Sequence, residues 1–488
     1  MISRLIRPGV AAVTGLALLA LTAPAHTAPA HPAPAHTARA AAGTGGARWS
    51  AATSRLHHDT LYPQHGNVVV DALHYGLRLR WDPTTTTLTG AETVTFRAAR
   101  SAPRFDLELI RALAVGSATL DGHPVSVTRP GDHVRFAAPV KAGSRHVLRL
   151  TYSGVPHPVA APTARGDFST LGFTTGTDGS AWTMQEPFGA YTWYAVNDTP
   201  ADKAFYDFTV TTPHGLVGVA NGQLRSRTSS AGNTVTRWHL DAPCSSYLTT
   251  LAIGDYVHHA VRGVKGLPVD LWTHRGNAHE LAVLRYAPKA VRFLERQVGP
   301  YPFSSLGIVA VPNSSAMETE TMVTMGTRHG VLNRDNVVHE IAHQWYGDTV
   351  TPRDWSDLWM NEGMAFYLAE GRWTAHHDGE SLDDDLAQWA PIAGLIRHEN
   401  GPPAAYDPGD FGEINVYLIP ALMWDTLSHR LGQQRFDTLI AKWPATHRHV
   451  SSSRAELVRW WSKKTHRDLR PFFHRWLLGK REPAWRQG

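Results

Sequence analysis

His339, Glu340 and His343 stand in the order H-E-x-x-H, inside the stretch VVHEIAHQWYGDTVTPRDWSDLWMNE that runs from Val337 to Glu362. On an α-helix of about 3.6 residues per turn, the two imidazoles lie one above the other on one face. Imidazoles so placed can bind a single Zn²⁺ at about 2.0–2.1 Å each. Glu340 lies about 100° around the helix from His339, beside such a metal but poorly aimed as a third ligand. From there it can reach a water on the metal, which is the position of a general base. The third ligand must come from another segment, and Glu362 is the candidate. Two His and one Glu leave the fourth zinc position open, which marks a catalytic rather than a structural site. A chain with 28 His can produce H-E-x-x-H by chance, but an added Glu on a second helix makes coincidence a poor account.

The elements that must hold these residues are readable. Asn333 or Asp335 can cap the first helix, and Gly347 can stop it. Val337, Val338, Ile341, Ala342 and Trp345 make that helix apolar on most sides, so burial is expected. Ser356 or Asp357 can open the second helix, which runs through Leu358, Trp359, Glu362, Phe366 and Tyr367. Gly363 inside it costs about 1 kcal/mol relative to Ala, which predicts a close approach to the first helix.

The chain has 488 residues, too many for one core and suited to two or three domains. Hydrophobic residues make up 42% of it, a globular content. The net charge of +5 comes from Lys and Arg scattered among acids, so it indicates solubility and no nucleic-acid partner. Residues 1–25 read as a signal peptide: Arg4 and Arg7, an apolar run from Val10 to Leu21, then Ala23-Pro24-Ala25. That run is too short to span a membrane, and no Cys nearby suggests a lipid anchor. Secretion without stable membrane insertion is therefore expected. Residues 26–50 are an Ala/Pro/His-rich linker. Cys244, the single cysteine, excludes an internal disulfide and reads as a small buried apolar residue.

Residues 51–256 show strand periodicity, as in LHYGLRLRW and LTGAETVTF, broken by turn signals such as Asp121-Gly122 and Asn221-Gly222. An antiparallel all-β domain is predicted there. From 257 to 488 the pattern changes to a mostly helical α+β domain. HELAVLRYAPKAVRFLERQVG reads as one amphipathic helix, LGIVAVPN as a strand, and NVYLIPALMWDTLSHRLG as a later helix. Asp383, Asp384 and Asp385 read as a solvated loop, with no second metal site at that cluster or at His376-His377.

The runs HEIAHQWYGD and WSDLWMNEGMAFYLAE resemble the gluzincin aminopeptidases of the aminopeptidase N and leukotriene hydrolase type, peptidase family M1. HYGLRLRWDP, EPFGAYTWYAVNDTPADKAFYDF and VANG are similar to that family's N-terminal β domain. The closing RDLRPFFHRWLLGKREPAW resembles the end of the thermolysin-like catalytic domain in its shorter members. The resemblance implies one Zn²⁺ per chain on His339, His343 and Glu362, with Glu340 as base. It implies that Tyr417 stabilises the oxyanion, although Ile419-Pro420 stand where the family has Lys/Arg-Gly. It implies that Glu318 and Met317, in SAMET, bind substrate; there Ser315 and Thr319 replace Gly and Asn of the family pattern. It places Glu186 at a second amine-binding acid, with Met184 at the position of a Gln and Gln185 beside it.

The expected function is a secreted zinc metallopeptidase that removes N-terminal residues from peptides with a free N-terminus. A thermolysin-like endopeptidase is the alternative if the amine clamp has failed. A non-catalytic peptide-binding protein with a vestigial site is the other, and the intact Glu340 argues against it.

Overall fold

The computed structural model describes residues 49–379 and 381–486. The leader at 1–25 and nearly all of the linker at 26–50 lie outside the described residues. Within them, no helix is long and apolar enough to cross a membrane.

Strict alternation builds the first part of the molecule. In the strand Val70–Asp82, Leu77, Leu79 and Trp81 face the core while Arg78 and Arg80 face solvent, the period-two rule of a half-buried sheet. This strand sits in the middle of an eight-stranded sheet. Its antiparallel partner is Thr87–Ala98. Its other partner, Lys203–Pro213, runs parallel to it, from His74 opposite Phe205 to Arg80 opposite Thr211. That pair departs from the antiparallel expectation. A parallel pair needs a long crossover connection, and the chain between these two strands is long enough to supply one. A five-stranded sheet containing Ala181–Met184 and a three-stranded sheet containing Phe105–Glu108 complete this all-β part. Cys244 is fully buried in its core, as expected.

The strand Tyr256–Arg262 begins a four-stranded sheet with Pro268–His274, Leu306–Val311 and Met322–Gly326. Helices then dominate: α1 Ala278–Leu284, α2 Ala287–Val298, α3 Arg334–Ala342, α4 Trp359–Phe366, α5 Thr374–Asp378, α6 Leu382–Asn400, α7 Leu418–Leu431, α8 Gln433–Thr446, α9 Arg454–Thr465 and α10 Arg470–Leu477. The one helix expected over HELAVLRYAPKAVRFLERQVG is two, α1 and α2. Pro288 lies in the first turn of α2, where its missing N–H leaves no bond unmade. Asp383, Asp384 and Asp385 are not a loop. They form the first turn of α6, where carboxylates meet the positive end of the helix dipole.

Helix α3 carries His339 and Glu340, ends on His343 as its C-cap, and is buried over residues 337–342, as its apolar faces predict. Asn333 is its cap, accepting from the Asn336 N–H. The chain leaves the helix through a wide turn, Gln344–Asp348, in which Gly347 adopts φ 137°. Neither Ser356 nor Asp357 opens the second site helix. Asp354 caps a short turn Trp355–Asp357 by accepting from the Ser356 N–H, and α4 follows. The Asp354 carboxylate also accepts from Thr60, at 2.9 Å from its N–H and 2.7 Å from its hydroxyl, so the cap ties the chain entry to the helical part.

Gly363 makes a close approach, but not to α3. A Cβ at this position would fall 2.3 Å from the Cβ of Pro420. Helix α4 therefore packs flush against α7, the helix that begins after Tyr417. Pro420 lies in the first turn of α7, where no intrahelical N–H bond is forgone. The Ile419-Pro420 departure is thus accommodated at a helix start and fits the Gly363 gap.

Candidate active site

Helices α3 and α4 bring three donor atoms together. The Nε2 atoms of His339 and His343 are 3.1 Å apart. Glu362 Oε2 lies 3.4 Å from the first and 3.3 Å from the second. All three residues are buried. Two donors on one tetrahedral Zn²⁺, at about 2.0–2.1 Å each, stand about 3.3–3.4 Å from one another, so the spacing fits a shared ion. The outer ring nitrogens support the same reading. His339 Nδ1 faces the Glu370 carboxylate at 3.1 Å, and His343 Nδ1 faces the Tyr346 carbonyl at 3.0 Å. These partners only accept, so each Nδ1 carries the hydrogen and each Nε2 turns its lone pair inwards.

The electrostatics also call for positive charge. Burial disfavours a charged His343, yet Glu362 and Glu318 raise its pKa to about 9. Burial likewise opposes a charged His339, but Glu370 and Glu362 hold its pKa well above the ordinary value. Burial alone would raise Glu362, but the two imidazoles hold its carboxyl below the usual range. The cluster holds cationic charge, either as protons or as a metal ion in their place.

Glu340 is buried beside this cluster and is not one of its three donors. Burial pushes its pKa up to about 7. Glu318 comes from the segment next to the strand Met322–Gly326, and Glu186 from the turn after Ala181–Met184 in the β part. Glu186, Glu318 and Glu362 each offer a carboxylate oxygen within 4.8 Å of the others. Among the described residues, Oε1 of Glu186 and Oε1 of Glu318 are buried with no hydrogen-bond partner. Burial raises both pKa values, and for Glu186 the nearby Glu318 adds to the effect. Met317 is buried, pairs its backbone with Thr324, and lines the same cavity. Tyr417 lines it too, with its ring centre 6.2 Å from that of His339.

The structure thus gathers His339, Glu340, His343, Glu362, Tyr417, Glu318, Met317 and Glu186 into one cleft lined by both the β part and the helical part. Gln185 is not available there. Its amide N–H groups bond Ser246 and Thr249 in the core, and its carbonyl accepts from the Trp193 ring. Glu370 and Arg165, both lining the cleft, escaped the sequence reading. A regular helix would put Glu370 about 80° away from Glu362, but the wide turn Tyr367–Trp373 brings it to His339. Arg165 comes from the β part, with no local motif to announce it. The other acidic and His cluster, Asp383, Asp425 and His429, is filled by Arg486, which bonds both aspartates.

A mostly antiparallel β part set against a helical part, with H-E-x-x-H and a distant Glu at their cleft, defines the two-domain metallopeptidase architecture. The Peptidase M1 N-terminal domain matches residues 71–248 and the Peptidase family M1 domain matches residues 284–476. The chain belongs to peptidase family M1. It is 27% identical over 353 residues to Aminopeptidase 2 of Candida albicans, covering 67% of this chain and 37% of that protein. It is 24% identical over 450 residues to Aminopeptidase N of Streptomyces lividans, covering 84% of this chain and 50% of that one. The chain therefore spans half or less of the length of these curated relatives. The fold matches the crystal structure of a mutant M1 zinc metallopeptidase from Deinococcus radiodurans bound to a Tyr-Ser-Ala substrate. There the TM-score is 0.78 and the identity 24%, over 88% of this chain and 99% of that one.

Proposed function

We propose that this chain is a zinc aminopeptidase, releasing single residues from peptides with a free N-terminus. The observation that carries the reading is the pair Glu186 and Glu318. Two buried carboxylates with unpartnered oxygens stand next to a three-donor metal cluster. Such a pair favours a cation, and the N-terminal ammonium is the cation every unblocked peptide carries. His339, His343 and Glu362 would hold the zinc. Zinc, when bound, would supply Lewis acidity to the scissile carbonyl and lower the pKa of water. Glu340 takes the proton from the attacking water and delivers it to the leaving amine. Tyr417 donates its hydroxyl to the oxygen that gains charge. With the ammonium held beside the metal, the first peptide bond is the one presented. We propose in addition that the chain is exported, on the leader pattern at 1–25; a mature N-terminus beyond residue 25 in material recovered from the medium is the expected result.

Matched free and N-acetylated peptides test the reading. Acetylation removes the ammonium and leaves both acids without a partner in a partly dry site. The acetylated peptide is expected to be cut at least about 100-fold more slowly, which corresponds to about 2.7 kcal/mol. Glu318→Ala is expected to raise KM for the free peptide and to shrink the discrimination. Internal cleavage of the acetylated peptide at a comparable rate would instead establish an endopeptidase.

A further inference from the structure

The wall of the cleft at Tyr417 is built by a segment of the β part, residues 161–168, that lies between the strands Val159–Ala160 and Thr170–Thr175. It is docked on the turn before α7. The Phe411 N–H donates to the Pro162 carbonyl at 3.0 Å, and the Thr163 hydroxyl donates to Glu413 at 3.3 Å. Arg165 stands at the centre of this contact. Its Nη1 donates to the Gly412 carbonyl at 2.7 Å and to the Tyr417 hydroxyl oxygen at 3.2 Å. Its Nε and Nη2 are gripped by Asp167, at 3.3 and 2.9 Å. Gly412 makes room for this, since a Cβ there would lie 3.3 Å from Nη1.

The direction of the hydrogen bond is decided by chemistry. A guanidinium has donors and no acceptor. The Tyr417 oxygen therefore accepts from Arg165, and the phenol hydrogen cannot point at Arg165. Among the described residues the Tyr417 hydroxyl has no other hydrogen-bond partner, and Tyr417 lines the cavity that holds His339, Glu340 and Glu362. A hydroxyl that accepts from a cation is also polarised into a better donor. A carboxylate in the place of Arg165 would do the reverse and draw the hydrogen to itself.

We propose that Arg165, held by Asp167, is a positioning residue that turns the Tyr417 hydroxyl into a donor aimed at the cleft, so that a loop of the β part orients a hydroxyl carried by the helical part. The inference rests on the aminopeptidase reading, in which Tyr417 serves the developing oxyanion.

A double-mutant cycle on the zinc-loaded full chain tests it, with an aminoacyl anilide as substrate. Tyr417→Phe is expected to lower kcat by about 10²–10³-fold with KM nearly unchanged. Arg165→Met is expected to lower kcat at least about tenfold, again with little effect on KM. In the Tyr417→Phe background, the same Arg165→Met change is expected to cost less than about threefold, because its target is gone. Arg165→Lys, which also only donates, is expected to recover much of the loss. Metal content is expected to stay at one ion per chain throughout. Equal losses from Arg165→Met in both backgrounds would mean a general structural role and overturn the inference, as would an unchanged kcat. An inert wild-type chain would overturn the aminopeptidase reading itself, and the inference with it.

Discussion

A Glu340→Gln chain is expected to retain its fold and its zinc while losing at least about 10³-fold in kcat. The amide matches the carboxylate in shape but cannot take a proton. General acid–base help is worth about 10²–10⁴-fold, and orientation of the attacking water adds to it. Glu340 is buried on α3 yet is not among the three donors His339, His343 and Glu362, so its replacement leaves the metal cluster whole. Metal analysis, a melting curve and steady-state kinetics on one preparation separate these effects. Near-normal turnover in a zinc-loaded sample would remove Glu340 from the base role.

Glu362→Ala is expected to lose most of its bound zinc and, with it, nearly all activity. The Glu362 carboxylate lies within 3.4 Å of both inner imidazole nitrogens, and without it two neutral ligands face an open cavity. The loss also removes a negative charge that favours a cation at His339 and His343, so metal and proton alike would be held less well. Elemental analysis after dialysis should show well under one ion per chain, with partial recovery of activity in excess zinc. A full complement of zinc in this variant would show that Glu362 is not the third ligand. The wild-type protein should show a single ion, because Arg486 already fills the cluster of Asp383, Asp425 and His429.

Most of the metal cluster was legible without any structure. The spacing of His339 and His343 is one turn of a helix, and a turn has a geometry that does not depend on the rest of the chain. Asn333 as a cap, the alternation of Leu77, Leu79 and Trp81, and the burial of Cys244 were legible for the same reason. The pairing of Glu186 with Glu318 was read from resemblance, not from spacing. The structure supplies the physical content, two unpartnered oxygens in one cleft.

Elsewhere the local rules pointed to the wrong partner. Gly363 was rightly read as a close approach, yet the helix it meets is α7, through Pro420, and not α3. Asp354, rather than Ser356 or Asp357, caps the turn into α4. Glu370 meets His339 from within the widened backbone of Tyr367–Trp373, where regular helical spacing is no guide.

Local spacing alone determined that this chain carries a pair of imidazoles one helical turn apart with an adjacent carboxylate, a second acid on a second helix, and a β part ahead of a helical one. Tertiary structure alone decided which distant segments face them: the parallel pairing of Val70–Asp82 with Lys203–Pro213, the seat of Pro420 on Gly363, and the arrival of Arg165 beside Tyr417. The reason is that hydrogen-bond period and side-chain type act over a few residues, whereas contacts between domains depend on which whole surfaces bury each other. Arg165 and Tyr417 lie in different domains, far apart in the chain, and no rule of sequence spacing makes them neighbours until both parts have packed.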